Sequence, residues 1–126
     1  MLLNDYPIEI KVVANYQDVE SEPHDNYFLF NYHITIYNNG DHAVTLLSRH
    51  WIITDGDGHK REVRGSGVVG EQPRIGSGES YTYSSSTNFA TPIGSMYGKY
   101  TMQLDTGELI YIPIAPFRLA APGVLN

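Results

Sequence analysis

Gly65-Ser66-Gly67-Val68-Val69-Gly70 satisfies the spacing G-x-G-x-x-G, in which residues without side chains let backbone N–H groups close around a pyrophosphate. That chemistry needs a helix to open at the end of the motif, because the helix N-terminus supplies the positive potential. Here Glu71-Gln72-Pro73-Arg74-Ile75-Gly76 follows, with neither helical period nor helical propensity. Gly65, Gly67 and Gly70 form a candidate pyrophosphate loop, but the preferred reading is a structural loop with several positive-φ glycines. In that reading Val68 and Val69 plug the loop onto the body of the protein. Gly94-Ser95-Met96-Tyr97-Gly98-Lys99 approaches a phosphate-binding P-loop, yet it has one residue too few between its glycines. Tyr100 also stands where the magnesium-binding Ser or Thr belongs.

Metal chemistry is weakly supported. His24, His33, His42, His50 and His59 lie about nine residues apart, and none forms the i, i+2 pair that puts two imidazoles on one face of a strand. Asp18, Glu20, Glu22 and Asp25 could offer oxygens to Mg²⁺, and His24 a nitrogen to Co²⁺; a solvated charge run is the plainer expectation. Asp55-Gly56-Asp57-Gly58 begins like a calcium loop, but the sixth position is Lys60 where Gly is needed, so a turn is expected. Ser66 and Ser77 each sit between glycines without the strand-to-helix elbow of a serine nucleophile. No catalytic residue, metal ligand or cofactor is assigned, and the chain is not expected to be an enzyme.

The elements that must position these residues are strands. Residues 8–17 alternate, with Ile8, Ile10, Val12, Ala14 and Tyr16 on one side. After an exposed acidic loop, residues 27–38 alternate again, with Phe28, Phe30, Tyr32, Ile34 and Ile36 pointing one way, and this is expected to be the central strand. Asn38-Asn39-Gly40-Asp41 is expected to turn a tight hairpin through positive φ. A third strand, residues 44–54, changes apolar parity between Val44-Leu46 and Trp51-Ile53, which predicts a bulge or bend near Ser48-Arg49-His50. Residues 59–64 suit a charged sheet edge. Residues 65–80 form a long glycine-bearing connection, 81–85 a short strand and 86–94 a loop. Residues 97–104 and 109–114 form a final hairpin. Pro113, Pro116 and Pro122 keep residues 114–126 extended. About seven strands and no helical period leave an all-β sandwich or a small barrel.

The chain has 126 residues, 41% of them hydrophobic and 17% charged, which fits one domain over residues 1–126. Its zero Cys excludes disulfide scaffolds, thiol chemistry and Cys-ligated zinc, disfavours an antibody-type domain, and points to the cytoplasm. Eight Lys and Arg against 14 Asp and Glu give a net charge of −6, which repels nucleic acid. Met1-Leu2-Leu3-Asn4-Asp5-Tyr6-Pro7 lacks a signal-peptide pattern, and no apolar run reaches membrane-helix length, so no membrane partner is expected.

Arg49-His50-Trp51 is the most unusual tripeptide. Trp51 continues the apolar set of its strand and is expected in the core, whereas Arg beside an aromatic residue is a common interface anchor. Here the sequence strongly resembles the ApaG family, also called CorD in some bacteria. The carrying motifs are Ser48-Arg49-His50-Trp51-Ile52-Ile53-Thr54-Asp55, Gly67-Val68-Val69-Gly70-Glu71-Gln72-Pro73 and Pro116-Phe117-Arg118-Leu119-Ala120. Thr91-Pro92, Gly94-Ser95-Met96 and Gly98-Lys99-Tyr100 also match. Ser86 departs from the family's usual Gly and puts the conformation expected there in question. The resemblance implies a fibronectin type III-like sandwich. It also implies kinship with protein-interaction domains of eukaryotic F-box proteins and of a polymerase δ-interacting protein. It further implies an association with cobalt resistance and magnesium efflux, and a gene neighbouring a diadenosine tetraphosphate hydrolase. It implies no reaction and no catalytic residues, and Gly65, Gly67 and Gly70 match its pyrophosphate-loop pattern.

Two functional classes follow. The first is a protein-binding module with an unidentified partner, its patch near the bend of the third strand and the glycine-bearing loop and made of Arg49, His50, Glu71 and Gln72. The second is a small-ligand binder, holding a pyrophosphate or nucleotide on the glycine loop or Co²⁺ or Mg²⁺ on the acidic loop. Arg61, Arg64 and Arg74 near the glycine loop face Glu62 and Glu71, so little positive field is left for a phosphate. Nucleotide and metal binding are expected to be weak, and the binding module is preferred.

Overall fold

The computed structural model describes residues 6–123. Period-two alternation decides the elements. β1 (Ile8–Tyr16) turns its apolar set halfway inward, and β2 (Phe28–Asn38) buries Phe30, Tyr32, Ile34 and Ile36. β3 (Val44–Asp55), β4 (Lys60–Ser66), the two-residue β5 (Arg74–Ile75), β6 (Ser80–Phe89), β7 (Ile93–Leu104) and β8 (Leu109–Ala120) follow. A three-stranded sheet runs β1-β2-β6, and a five-stranded sheet runs β4-β3-β7-β8 with β5 beside β3; all pairings are antiparallel. The fold is an all-β sandwich with the strand order of fibronectin type III domains, and β2 is central in the smaller sheet. Among the described residues no helix is long and apolar enough to cross a membrane.

Trp51 is the aromatic hub of the core. Its ring meets Tyr32 at 6.0 Å, Phe117 at 5.9 Å and Tyr100 at 6.4 Å, each edge to face, the arrangement ring quadrupoles favour. Tyr83 of β6 and Tyr100 of β7 join hydroxyls across the two sheets at 2.5 Å. Desolvation pushes both phenols well above their ordinary range, so the pair is neutral, with one hydroxyl donating and the other accepting.

Three expectations are corrected. Residues 38–41 make no hairpin: β2 and β3 lie in different sheets, and Gly40 does not have positive φ. The buried Asn38 side chain donates to the carbonyls of His42 and Ile75 at 2.8 and 2.9 Å and accepts the Gly40 N–H at 3.0 Å, fixing the crossing. The irregularity expected in β3 near Ser48 is present, as a bulge between Leu46 and Ser48. β6 continues to Phe89, because Thr87 and Phe89 keep the inward alternation begun by Tyr83 and pair with Phe30 and Phe28; only residues 90–92 are loop. β8 likewise runs on to Ala120. Its Pro113 and Pro116 are tolerated because β8 is an edge strand. As expected, charged β4 is the other edge of the larger sheet.

Candidate functional site

The bulge at Leu47 is the local event that organises the candidate residues. Before it Val44 and Leu46 face the core; after it Arg49, Trp51 and Ile53 take the inward parity, and Ser48, His50, Ile52 and Thr54 face out. Arg49 and His50 are therefore on opposite faces of the sheet. The expected patch of Arg49, His50, Glu71 and Gln72 is not one surface.

Arg49 is tied to the glycine loop through one terminal nitrogen. Its Nη1 donates to the carbonyls of Ser66 at 3.1 Å and Gly67 at 2.9 Å, and its guanidinium covers the space a Cβ on Gly65 would fill. The Gly67 N–H donates back to the Leu47 carbonyl at 2.8 Å, and the Gln72 side-chain amide donates to the same oxygen at 2.9 Å. Val68 and Glu71 exchange both backbone hydrogen bonds, at 2.8 and 2.9 Å. Between them Val69 (φ 48°) and Gly70 (φ 78°) are both left-handed, the geometry of a type I′ turn. Val68 is fully buried as the plug; Val69, expected to plug as well, is 61% exposed and holds a conformation that β-branched residues avoid.

This geometry bears on the phosphate motif. The N–H groups of Gly67, Val68 and Glu71 already have intramolecular acceptors, and each amide has one hydrogen to give. The segment after Gly70 returns to β5 rather than opening a helix. Gly65, Gly67 and Gly70 are thereby placed as a packing contact under Arg49, a close backbone approach and a turn residue.

His24 and the acids of the first loop do not gather. Among the described residues, the group of three whose ligand atoms lie within 4.8 Å of one another is Asp55, Asp57 and His59. Asp55 Oδ1 accepts the N–H groups of Asp57 and His59 at 2.9 and 3.0 Å, and Oδ2 lies 3.4 Å from His59 Nδ1. Partial desolvation acts to raise the Asp55 carboxyl, but those two N–H groups and the imidazole outweigh it and hold the carboxyl below its ordinary value. The carboxylate builds the turn expected there.

The outward face of the larger sheet assembles something that no linear stretch displays. Register aligns Arg64, His50 and Lys99 in one cross-strand row and Lys60, Thr54, Ser95 and Arg118 in another. Between them lie Glu62, Ile52 and Tyr97. The Lys99 ammonium lies 5.6 Å from the Tyr111 ring centre, and Tyr97 and Tyr111 are exposed. Glu62 Oε2 meets His50 Nε2 at 2.7 Å and Arg64 Nη2 at 3.1 Å; these two bonds hold its carboxyl below the usual range. Four of the eight Lys and Arg residues thus share one face with a single acid, on a chain of net charge −6. His50 alone was a sequence candidate; the signal for the others was a basic residue at outward parity on β4, β7 and β8. The opposite face, on the smaller sheet, is uncharged apart from Glu9 and Lys11, with hydroxyl pairs such as Thr35 and Thr82 at 3.0 Å.

The fold and this surface define an antiparallel β-sandwich domain, with one basic and aromatic sheet face and with turns fixed by internal hydrogen bonds. The family model described as the ApaG domain matches residues 18–104. A Pseudomonas fluorescens (strain Pf0-1) protein named Protein ApaG is 51% identical over 121 residues, 96% of each chain. A crystal structure of a structural-genomics target superposes with a TM-score of 0.92 at 47% identity, covering 98% of this chain and 93% of that one. A Bordetella pertussis structure described as an ApaA protein gives 0.91 at 41% identity, covering 94% and 97%. The chain belongs to the ApaG family.

Proposed function

We propose that the chain is a non-enzymatic protein-interaction module of the cytoplasm, and that its interface is the outward face of the larger sheet. The observation that carries this reading is the segregation of Lys60, Arg64, Lys99 and Arg118 with exposed Tyr97 and Tyr111 on one sheet face. Arg and Tyr are the residue types that most often anchor interfaces, and segregated charge steers a complementary, acidic partner. Glu62 sits among the cations and accepts from Arg64 and from the His50 imidazole, which weakens the field a nucleic-acid backbone would require and favours a protein surface with mixed charge. Of the expected patch, His50 belongs to this face; Glu71 and Gln72 are exposed in the loop that Arg49 secures. The cobalt and magnesium associations that the resemblance implies then act through the partner.

The test is quantitative capture from native cytoplasm by wild type and by the double variant Arg64→Glu, Lys99→Glu. Both residues are exposed, so the melting temperature should stay within a few degrees while recovery of specific partners falls at least about tenfold, as charge reversal across a complementary interface does. Undiminished recovery by the folded variant removes the face from consideration.

A further inference from the structure

The open side of the sandwich, where edge strand β4 faces edge strand β6, carries a second recognition feature. Two arginines of inward parity enter it. Arg61 Nη2 reaches across to Thr87 Oγ1 at 2.6 Å and to the Asn88 carbonyl at 2.9 Å, and Arg49 lies further along the same cleft. Neither has a carboxylate within 4.0 Å among the described residues, in a chain with an excess of acids. Each bonds through one terminal nitrogen only, so Nε and the other Nη of both remain available. A hollow of about 210 Å³ opens beside Arg49, floored by Tyr32, Trp51 and Val63 and walled by Ser85 and Ser86. Arg61 separates it from a second hollow of about 270 Å³ over Ile53 and Phe89. Asp55, His59 and Lys60 border the second hollow, and the Asp55 carboxylate is engaged by its own turn.

β6 lines this cleft with an unpaired backbone edge. It hydrogen-bonds on one side only, to β2. The Asn38 N–H donates to the Glu79 carbonyl at 2.9 Å, so odd-numbered residues of β6 bond to β2 and even-numbered ones point the other way, as the Asn88 carbonyl taken by Arg61 shows. The N–H and C=O groups of Thr82, Ser84 and Ser86 thus face the opening. The strand Ser80-Tyr81-Thr82-Tyr83-Ser84-Ser85-Ser86-Thr87-Asn88-Phe89 carries no charge and no proline, the devices that ordinarily block such an edge. β4 opposite does carry charge, at Lys60, Arg61, Glu62 and Arg64.

We propose that the β4–β6 cleft binds an extended acidic peptide segment, which adds as a strand to β6 and places carboxylates on Arg49 and Arg61. Strand addition supplies main-chain hydrogen bonds, and pockets at alternate positions supply specificity; the two hollows and their guanidinium groups meet side chains on the peptide's inward face. Bidentate guanidinium–carboxylate pairing suits the free nitrogens. Of the outward-face cations only Lys60 borders this cleft and none is a proposed contact of the peptide, so this site goes beyond the preceding reading and stands or falls apart from it.

The probe is an alternating valine–glutamate peptide, compared by calorimetry with its valine–glutamine counterpart, with the same peptide N-methylated at alternate residues, and with free glutarate. The valine–glutamate peptide should bind at about micromolar Kd; the Arg61→Gln variant should weaken it about tenfold, the loss of one charge-assisted bond, and the glutamine peptide, which loses both, about a hundredfold. N-methylation, which leaves the protein untouched, should abolish binding. Hydrogen exchange at the Thr82, Ser84 and Ser86 amides should slow with the parent peptide, and Lys99→Glu should change nothing. Failure of the parent peptide to bind, equal binding of the N-methylated or glutamine peptide, or glutarate binding as tightly as the peptide would each overturn the proposal.

Discussion

Gly67 and Gly70 offer a matched pair for testing what the glycine loop is for. Both are left-handed, at φ 56° and 78°, so an Ala at either costs about 1–2 kcal/mol in backbone conformation alone. Their surroundings differ. A Cβ on Gly70 meets nothing within 4 Å, whereas one on Gly67 lies 1.9 Å from the Glu71 carbonyl oxygen and 2.7 Å from its carbon. Those are backbone atoms that cannot rotate away, so the loop must move. Displacing it loosens the Val68–Glu71 pair and the two bonds from Arg49, at about 1 kcal/mol each. It also lifts fully buried Val68, whose burial is worth about 1.5–3 kcal/mol. With partial relaxation, Gly67→Ala should cost about 3–5 kcal/mol and Gly70→Ala about 1–2 kcal/mol, read as a shift of the urea midpoint at constant m-value. Equal losses, or a loss at Gly67 below about 1.5 kcal/mol, would refute the clamp and return the motif to a loop whose glycines serve an incoming ligand.

Ile34 is fully buried at the centre of β2, and Ile34→Ala should cost about 2–5 kcal/mol in a denaturant melt; a loss below about 1 kcal/mol would show the core misassigned. Tyr83 and Tyr100 have folded pKa values raised by burial, so their stabilisation is fully present below the unfolded value of about 10 and declines as pH rises above it. The unfolded chain releases protons the folded one keeps, giving about 1.4 kcal/mol per pH unit for each tyrosine. Phe at both positions should flatten this alkaline slope; an unchanged slope would contradict the assignment. ATP, diadenosine tetraphosphate, Co²⁺ and Mg²⁺ should bind no tighter than about millimolar by calorimetry, about −4 kcal/mol, because the loop amides and the Asp55 carboxylate are already engaged. Micromolar affinity for any of them would reverse that conclusion.

The sandwich was legible because Phe30, Tyr32, Ile34 and Ile36 alternate without exception and because charged β4 reads as an edge. The second half of β6 was hidden by its small polar residues: Ser84-Ser85-Ser86 gives alternation nothing to register, and only pairing with β2 shows it to be strand. Pro113 and Pro116 argued against strand although edge position makes them harmless. At the candidate site, Arg49 and His50 could be singled out by type. Their roles could not be, since they depend on a one-residue bulge at Leu47 that decides which face each side chain takes. The basic face was illegible for a related reason. Lys60, Arg64, Lys99 and Arg118 are scattered over residues 60–118, and only the register of β4, β3, β7 and β8 gathers them.

The placement of the interface is tested most directly by site-specific photo-crosslinking in native cytoplasm from two exposed positions on opposite faces, Tyr97 on the larger sheet and Val13 on the smaller. A photoreactive phenylalanine at Tyr97 should capture a discrete protein partner, and the same residue at Val13 should not. Capture from Val13 with none from Tyr97 would contradict the account and move the interface to the hydroxyl-rich face.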